Sequence, residues 1–426
     1  MSKTWRIGVA GLGTVGGGLL KFLAEAPLYA PAGGRVEVTA VSARSRKREF
    51  DISHLSWFDN AVDLAASPDI DIFVELIGGS DGPAKAAVET ALKHGKPVVT
   101  ANKALIAEHG KELAELAEAN NAPLLFEAAV MGGVPAVKIV REALVGEQLV
   151  SIAGILNGTC NYILTEMEAS GRSFADVLAE AQRLGYAEAD PTTDIGGFDA
   201  AHKITILAAL AFGGAPSYAD AEIEGLDQIE LADIRLAHDL GYRIKLVASA
   251  ECMDGGVSVR VHPALAPLDH PLAQAGGALN ALFIEGKRIG RIFVQGPGAG
   301  AGPTAAAVAA DISDVMSGAV RPVFQKPATQ LAAQRGIEGS QRMARAYVRL
   351  LVRDEPGVIA AVSETLAEEK VSIDSFLQKP VHDAGGVPIV LTTHATPEPV
   401  LLRAIQRIGA LPQVLEPPRM IRIARV

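Results

Sequence analysis

Residues 184–203 read LGYAEADPTTDIGGFDAAHK, and in them four carboxylates, Glu188, Asp190, Asp194 and Asp199, precede a single lysine, Lys203. After Gly196 and Gly197 the chain DAAHKITILAALAF has helical period. Asp199 and Lys203 are four residues apart, so on a helix they share one face, acid N-terminal to base. Two chemistries fit that spacing. On a solvated surface the pair is an ordinary bridge contributing about 0.3–0.5 kcal/mol. Turned into a cleft, a lysine held by Asp199 could exchange a proton with a hydroxyl being oxidised, while Glu188 and Asp190 opposite would suit a substrate bearing an ammonium group. Spacing alone leaves the two readings level.

Three other stretches carry reactive or ligand-binding residue types. GLGTVG (Gly11, Leu12, Gly13, Thr14, Val15, Gly16) is a G-x-G-x-x-G that follows a strand-like run and opens an apolar helix-like one. Such glycines permit a tight turn and close approach of backbone to a pyrophosphate at a positive helix N-terminus, which points to a dinucleotide. Taken alone, the same residues fit a plain glycine turn. Where an NAD site would place a carboxylate on the ribose 2′-hydroxyl, the chain has SARSRKR (42–48), with Arg44 first and no acid before Glu49. Arginine pairs with a 2′-phosphate, so NADP is favoured over NAD, against a solvated basic turn. In TANKAL (100–105), Lys103 follows another strand and would face the crevice where open α/β sheets bind ligands, unless it is a plain surface lysine.

The elements that must position these groups can be read from periodicity. Residues 6–130 alternate short apolar runs (6–11, 36–43, 70–79, 96–101 and 122–130) with helix-period segments, which predicts a parallel sheet covered by helices. The middle of the chain offers strands at 151–159, 245–252, 257–263 and on either side of Lys287, interrupted by helices at 173–184 and 199–212. Ser173 is a candidate N-cap and Gly185 a stop for the first of these. That pattern predicts an α+β domain. A Gln/Arg-rich connector at 330–345 precedes a strand–helix–strand–strand–helix–strand order over 346–426. With 49% hydrophobic and 21% charged residues, a net charge of −10 and no basic stripe, a nucleic-acid partner is not expected. Two cysteines, Cys160 and Cys252, cannot build a disulfide framework, no leader-like segment opens the chain, and no apolar run could span a bilayer. A cytoplasmic protein without a membrane partner is expected.

NGTCNYIL (157–164), the 185–203 block, GLGTVG and TANK together resemble homoserine dehydrogenase, in its monofunctional form, over essentially the whole chain. The last 80 residues, including the DEPGV turn (354–358), resemble an ACT domain. The resemblance implies an α/β protein with a Rossmann-type nucleotide-binding domain (1–130) and an α+β catalytic and dimerisation domain (131–329) whose end returns to the first. A linker (330–345) and a βαββαβ ACT regulatory domain (346–426) would follow. It implies interconversion of L-homoserine and L-aspartate 4-semialdehyde, with Lys203 as acid/base, Asp199 as its partner and Lys103 as a second participant that also touches the cofactor. Glu188 would contact the substrate ammonium, Asp194 would line the site, and Gly302 in GPGAGAGPTA (296–305) would pass near nicotinamide and substrate. Asp190 receives no role. Glu127, with backbone oxygens of Val130, Gly132 and Val134, would hold sodium or potassium. L-Threonine at the ACT domain and a homodimer or homotetramer complete the expectation.

Two different classes of function compete with this reading. A semialdehyde dehydrogenase acting through a thioester needs an activated cysteine, for which Cys160 is the candidate. A non-catalytic sensor of NADP and an amino acid would need neither lysine to act.

Overall fold

The computed structural model describes residues 3–25, 28, 34–46, 51–253, 256–319, 321–333, 336–337, 342–378 and 385–425. The first unit runs β1 (Thr4–Ala10), α1 (Thr14–Glu25), β2 (Arg35–Ser42), β3 (Ser56–Phe58), α2 (Ala61–Ala66), β4 (Ile72–Glu75), α3 (Pro83–Lys93), β5 (Val98–Thr100), α4 (Lys103–Ala119) and β6 (Leu124–Leu125). All six strands are parallel, in the order β3-β2-β1-β4-β5-β6. This is the doubly wound order in which ligands bind at the carboxyl ends of the central strands. The run expected as a strand at 122–130 is one only at Leu124–Leu125; Ala128–Met131 forms a helical turn, α5. An apolar run broken only by Glu127 carries no period that separates buried strand from buried helix. The short edge strand β3, with only one alternation, was not anticipated.

The second unit continues with α6 (Ala136–Lys138), β7 (Leu149–Ile155), α7 (Gly158–Ser170), α8 (Phe174–Arg183), α9 (Thr192–Ile195), α10 (Phe198–Phe212), β8 (Glu222–Ile223), α11 (Leu231–Asp239), β9 (Tyr242–Met253), β10 (Gly256–Pro267), α12 (Pro271–Gln274), β11 (Leu279–Gly286), β12 (Gly290–Pro297) and α13 (Ala301–Ser317). The strand expected at 151–159 stops at Ile155, because Asn157 caps α7: its Oδ1 accepts from the Cys160 N–H at 2.8 Å. Ser173 caps α8 in the same way, and the helix ends just before Gly185, whose φ is +78°. α13 leaves this unit and packs on the first one. Ala305, Val308 and Ile312 join Leu12 and Leu19 against the sheet residues Ile7, Val9, Ile72 and Val74.

The third unit consists of β13 (Met343–Val352), α14 (Val358–Glu368), β14 (Ile373–Gln378), β15 (Val387–Thr393), β16 (Thr396–Pro397), α15 (Glu398–Gly409) and β17 (Arg419–Ile423). The βαββαβ order is present with β16 as a short addition. What separates this unit from the second is less than a linker would suggest. β17 pairs in parallel with β10 and antiparallel with β13, so both units share one 11-stranded sheet. Buried ions seal the join. Glu398, at the start of α15, accepts from Arg260 of β10 at 2.9 and 3.0 Å and from Arg422 of β17 at 2.7 Å. Arg349 of β13 reaches the buried Asp233 of α11 at 2.7 Å. The connector is also tied down, since Ala215 N–H donates to Ala332 O at 2.9 Å.

α10 lies between the two larger units. Ile204, Ile206, Leu207 and Leu210 are fully buried, and the helix packs on α4 on one side and on β9 and β10 on the other. A helix so largely apolar buries more than one face. The lysine and aspartate it carries are therefore interior too.

Candidate active site

Asp199 is 5% and Lys203 8% exposed, which removes the surface-bridge reading. Lys203 Nζ donates to Asp199 Oδ2 at 2.7 Å and to the Leu156 carbonyl, between β7 and α7, at 2.8 Å. The other oxygen, Asp199 Oδ1, faces Lys103 Nζ at 3.0 Å. Lys103 comes from the first unit. The Asn102 side chain accepts from Leu105 N–H at 3.1 Å and so starts α4 at the carboxyl end of β5, which puts Lys103 at the crevice. One buried carboxylate thus joins lysines from two units.

The charges respond to this arrangement. Burial pushes the Asp199 carboxyl up, but Lys203, Lys103 and two hydrogen bonds outweigh it and hold the group well below the usual carboxylate range. Lys103 is raised by the charge of Asp199 against the effect of burial, with Asp194 and Glu188 adding to it. Asp194 is raised by burial and by Asp199, although its Oδ1 accepts from Asn157 Nδ2 at 2.8 Å. Glu188 is exposed on the loop before α9, near enough for its charge to reach Lys103. Asp190 turns out to serve local structure: its Oδ1 accepts from Thr192 Oγ1 at 2.6 Å and Thr192 N–H at 3.1 Å, fixing the turn into α9.

Sequence reasoning missed three members of this neighbourhood. Asn157 sits inside a quoted motif, yet its contacts are to residues about forty positions away. Its Nδ2 donates to Asp199 Oδ2 at 2.9 Å as well as to Asp194. Asn280 Nδ2 donates to Leu156 O at 3.0 Å, the carbonyl that also receives Lys203. Gly298 lies against Asn280 so tightly that a Cβ would fall 2.1 Å from Asn280 Cγ. Gly302, by contrast, is exposed in the first turn of α13 with no neighbour within 4 Å of a Cβ.

The GLGTVG turn is close-packed at its first and last glycines and open at the middle one. Gly11 has φ +102° and its Cβ would strike Leu76 O at 2.4 Å, while a Cβ on Gly16 would be 2.0 Å from Gly11 O. A Cβ on Gly13 would meet nothing, so backbone and the α1 N-terminus face outward together. Leu12 is buried beneath the turn, and Thr14 and Val15 begin α1. Arg44 is exposed beyond the end of β2; Lys47 and Arg48 of the same basic run lie outside the described residues.

Glu127 is 2% exposed, and its two carboxylate oxygens accept from Val137 N–H at 3.0 Å and Lys138 N–H at 2.8 Å. Burial, then the neighbouring Asp311, pushes its carboxyl up to about 7; burial pushes Asp311 up to about 7 as well. Asp311 Oδ1 is buried without a hydrogen-bond partner among the described residues. Val130 lies in the four-residue α5, Gly132 caps it with φ +50°, and Val134 N–H donates to Met131 O at 3.0 Å. Lys138 Nζ lies 3.8 Å from Asp311 Oδ1 and offsets part of its charge.

Family profiles match three segments: homoserine dehydrogenase, NAD-binding domain, over 11–127, homoserine dehydrogenase over 135–313 and ACT domain over 346–412. A homoserine dehydrogenase of Neisseria gonorrhoeae is 42% identical across 99% of both chains. The chain belongs to the homoserine dehydrogenase family. The crystal structure of a homoserine dehydrogenase from Thiobacillus denitrificans is 41% identical, covers 99% of both chains and superposes with a TM-score of 0.92. A hyperthermophilic archaeal homoserine dehydrogenase in complex with NADPH is 29% identical, with a TM-score of 0.64 over 73% of this chain and 97% of its own. As a member of that family the protein is an oxidoreductase interconverting L-homoserine and L-aspartate 4-semialdehyde with a nicotinamide cofactor, in threonine and methionine biosynthesis. Neither competing class is favoured. Cys160 is fully buried, its Sγ faces Asp194 O at 3.2 Å, and burial together with Asp194 and Asp199 raises the thiol well above its ordinary range, the opposite of an activated nucleophile. No helix among the described residues is long and apolar enough to cross a membrane.

Proposed function

We propose that Lys203 is the acid/base of the homoserine dehydrogenase reaction, oriented by Asp199, with Lys103 completing the site. One observation carries this reading. An ammonium has three donors, and Lys203 directs two at Asp199 and Leu156 O, leaving one hydrogen, or the lone pair of the neutral amine, for a substrate oxygen. Lys203 would take the hydroxyl proton during oxidation and return it when the aldehyde is reduced. Glu188 and Asp194 would hold the substrate ammonium: three carboxylates against two lysines leave the site one negative charge. When bound, the nicotinamide supplies or accepts the hydride. Gly11–Gly16 with the α1 N-terminus would cradle its pyrophosphate and Gly302 would pass beside it, while Lys103 would stand at the crevice. We favour NADP over NAD on account of Arg44. Replacing Lys203 by Met should lower turnover by about 10²–10⁴-fold while nucleotide binding, followed by fluorescence titration, persists. Unchanged turnover would end the proposal. The same assays run with NADPH and NADH, on the parent and on Arg44→Ala, decide cofactor preference.

The remaining features belong to the same reading. Glu127 and the carbonyl oxygens of Val130, Gly132 and Val134 would hold sodium or potassium, offsetting the buried charge shared with Asp311. The ACT domain would bind an amino acid, L-threonine by family resemblance. Contacts run from that domain towards the site: Arg422 of β17 bonds Glu224 at 2.7 Å, and two residues on Leu226 N–H bonds Ile195 O at 2.8 Å, beside Asp194. We also place the enzyme in the cytoplasm, as a homodimer or homotetramer.

A further inference from the structure

We propose that Asn157 is a positioning residue: its side-chain amide ties Asp194 to Asp199 and so sets how tightly Asp199 holds the proton of Lys203. The inference rests on Lys203 being the acid/base. Asn157 has one acceptor and two hydrogens, and all are engaged. Oδ1 caps α7 through Cys160 N–H, and Nδ2 donates to Asp194 Oδ1 at 2.8 Å and to Asp199 Oδ2 at 2.9 Å. The residue is 4% exposed, so water does not compete for these bonds. Asp199 Oδ2 is the same atom that receives Lys203 at 2.7 Å. The amide and the ammonium therefore share one oxygen.

A hydrogen bond to a carboxylate stabilises its charged form and draws off part of that charge. With the amide present, Asp199 pulls less strongly on the Lys203 proton than a bare carboxylate would. The amide also bridges two carboxylates that would otherwise repel, keeping Asp194 at the mouth of the site and Asp199 behind it. Any good helix cap could hold α7. Only a side chain with two amide hydrogens can cap the helix and bind both acids.

That difference supplies the test. Serine and aspartate cap helices about as well as asparagine, so Asn157→Ser keeps the cap and removes the paired donors. Asn157→Asp keeps the shape and adds a negative charge. In homoserine oxidation, kcat should fall roughly 10- to 100-fold in Asn157→Ser. The pH at which the oxidative rate rises should move upward, least in the parent, further in Asn157→Ser and furthest in Asn157→Asp. The melting temperature should stay closer to that of the parent in Asn157→Ser, which keeps the cap, than in Asn157→Asp, which buries a third carboxylate beside two others. An unmoved profile overturns the inference, whether activity is kept or is lost together with melting temperature, since the residue is then only a cap. Lys203→Met separates the two levels. If that variant still turns over, the acid/base reading fails; if it is inactive while the Asn157 profiles do not move, only this inference fails.

Discussion

Asp199 is the residue on which the site turns, because its two oxygens serve two lysines that reach it from different units. Asp199→Asn keeps the shape and removes the charge. It should lower kcat by roughly 10²-fold or more. Because the Asp199 carboxylate is the counterion that holds the Lys203 ammonium at 2.7 Å, its loss should also move the rise of the oxidation profile to lower pH, the reverse of the shift expected for Asn157 variants. Steady-state rates from neutral to alkaline pH measure both, and a profile that stays in place would count against Asp199 as the common counterion. The Asp199–Lys203 pair was legible in the sequence because its spacing is local and helical. Its burial was not, since that depends on α4, β9 and β10 closing around α10. Lys103 could be placed at a strand's end, but its convergence on Asp199 is a tertiary contact that no periodicity encodes. The same holds for Asn157, whereas Asp190, acidic and close by, turned out to hold only its own turn.

At the level of elements, the return from β12 to α13 shows how packing constrains the site from behind. A methyl on Gly298 would collide with Asn280, which helps hold Leu156 O for Lys203. Gly298→Ala should therefore cost about 1–3 kcal/mol of stability as an overpacking change and depress kcat with it. Gly302→Ala, in an open helical turn four residues later, should be neutral or stabilise by up to about 1 kcal/mol. Thermal melts with parallel kinetics compare them, and equal behaviour of the two variants would contradict this account. Family resemblance singled out Gly302 in this segment and passed over Gly298, because the difference lies in what each faces. Strands and helices of the first unit were legible where short apolar runs alternate with helix-period segments, and misread at 122–130, where a mostly apolar run holds the buried Glu127.

For the whole molecule, the joined sheet makes acid sensitivity a property of the seam. Burial, then Arg422 and Arg260, depresses His262 to about 3; Glu398 is held at about 2 by Arg260 and Arg422 despite burial. Both folded values lie below the unfolded ones. Each group therefore contributes stability at higher pH that disappears on acidification, His262 from near pH 6.5 downward and Glu398 from near 4.5. The histidine contribution is roughly 3–5 kcal/mol at most. His262→Gln should flatten the fall of melting temperature between neutral and mildly acid pH, and an unchanged slope would show that other groups govern it. The βαββαβ order was visible in the sequence, but the partner of its last strand was not, because hydrophobic pattern gives a strand its faces and not its neighbour. The pairing of β10 with β17 has a practical corollary. Cutting the chain near residue 330 would do more than delete a sensor: it would bare an adhesive strand edge and strand Arg260 without Glu398. The ACT unit is a keystone as much as an appendage, and its influence on catalysis is best probed by point changes in the intact enzyme rather than by amputation.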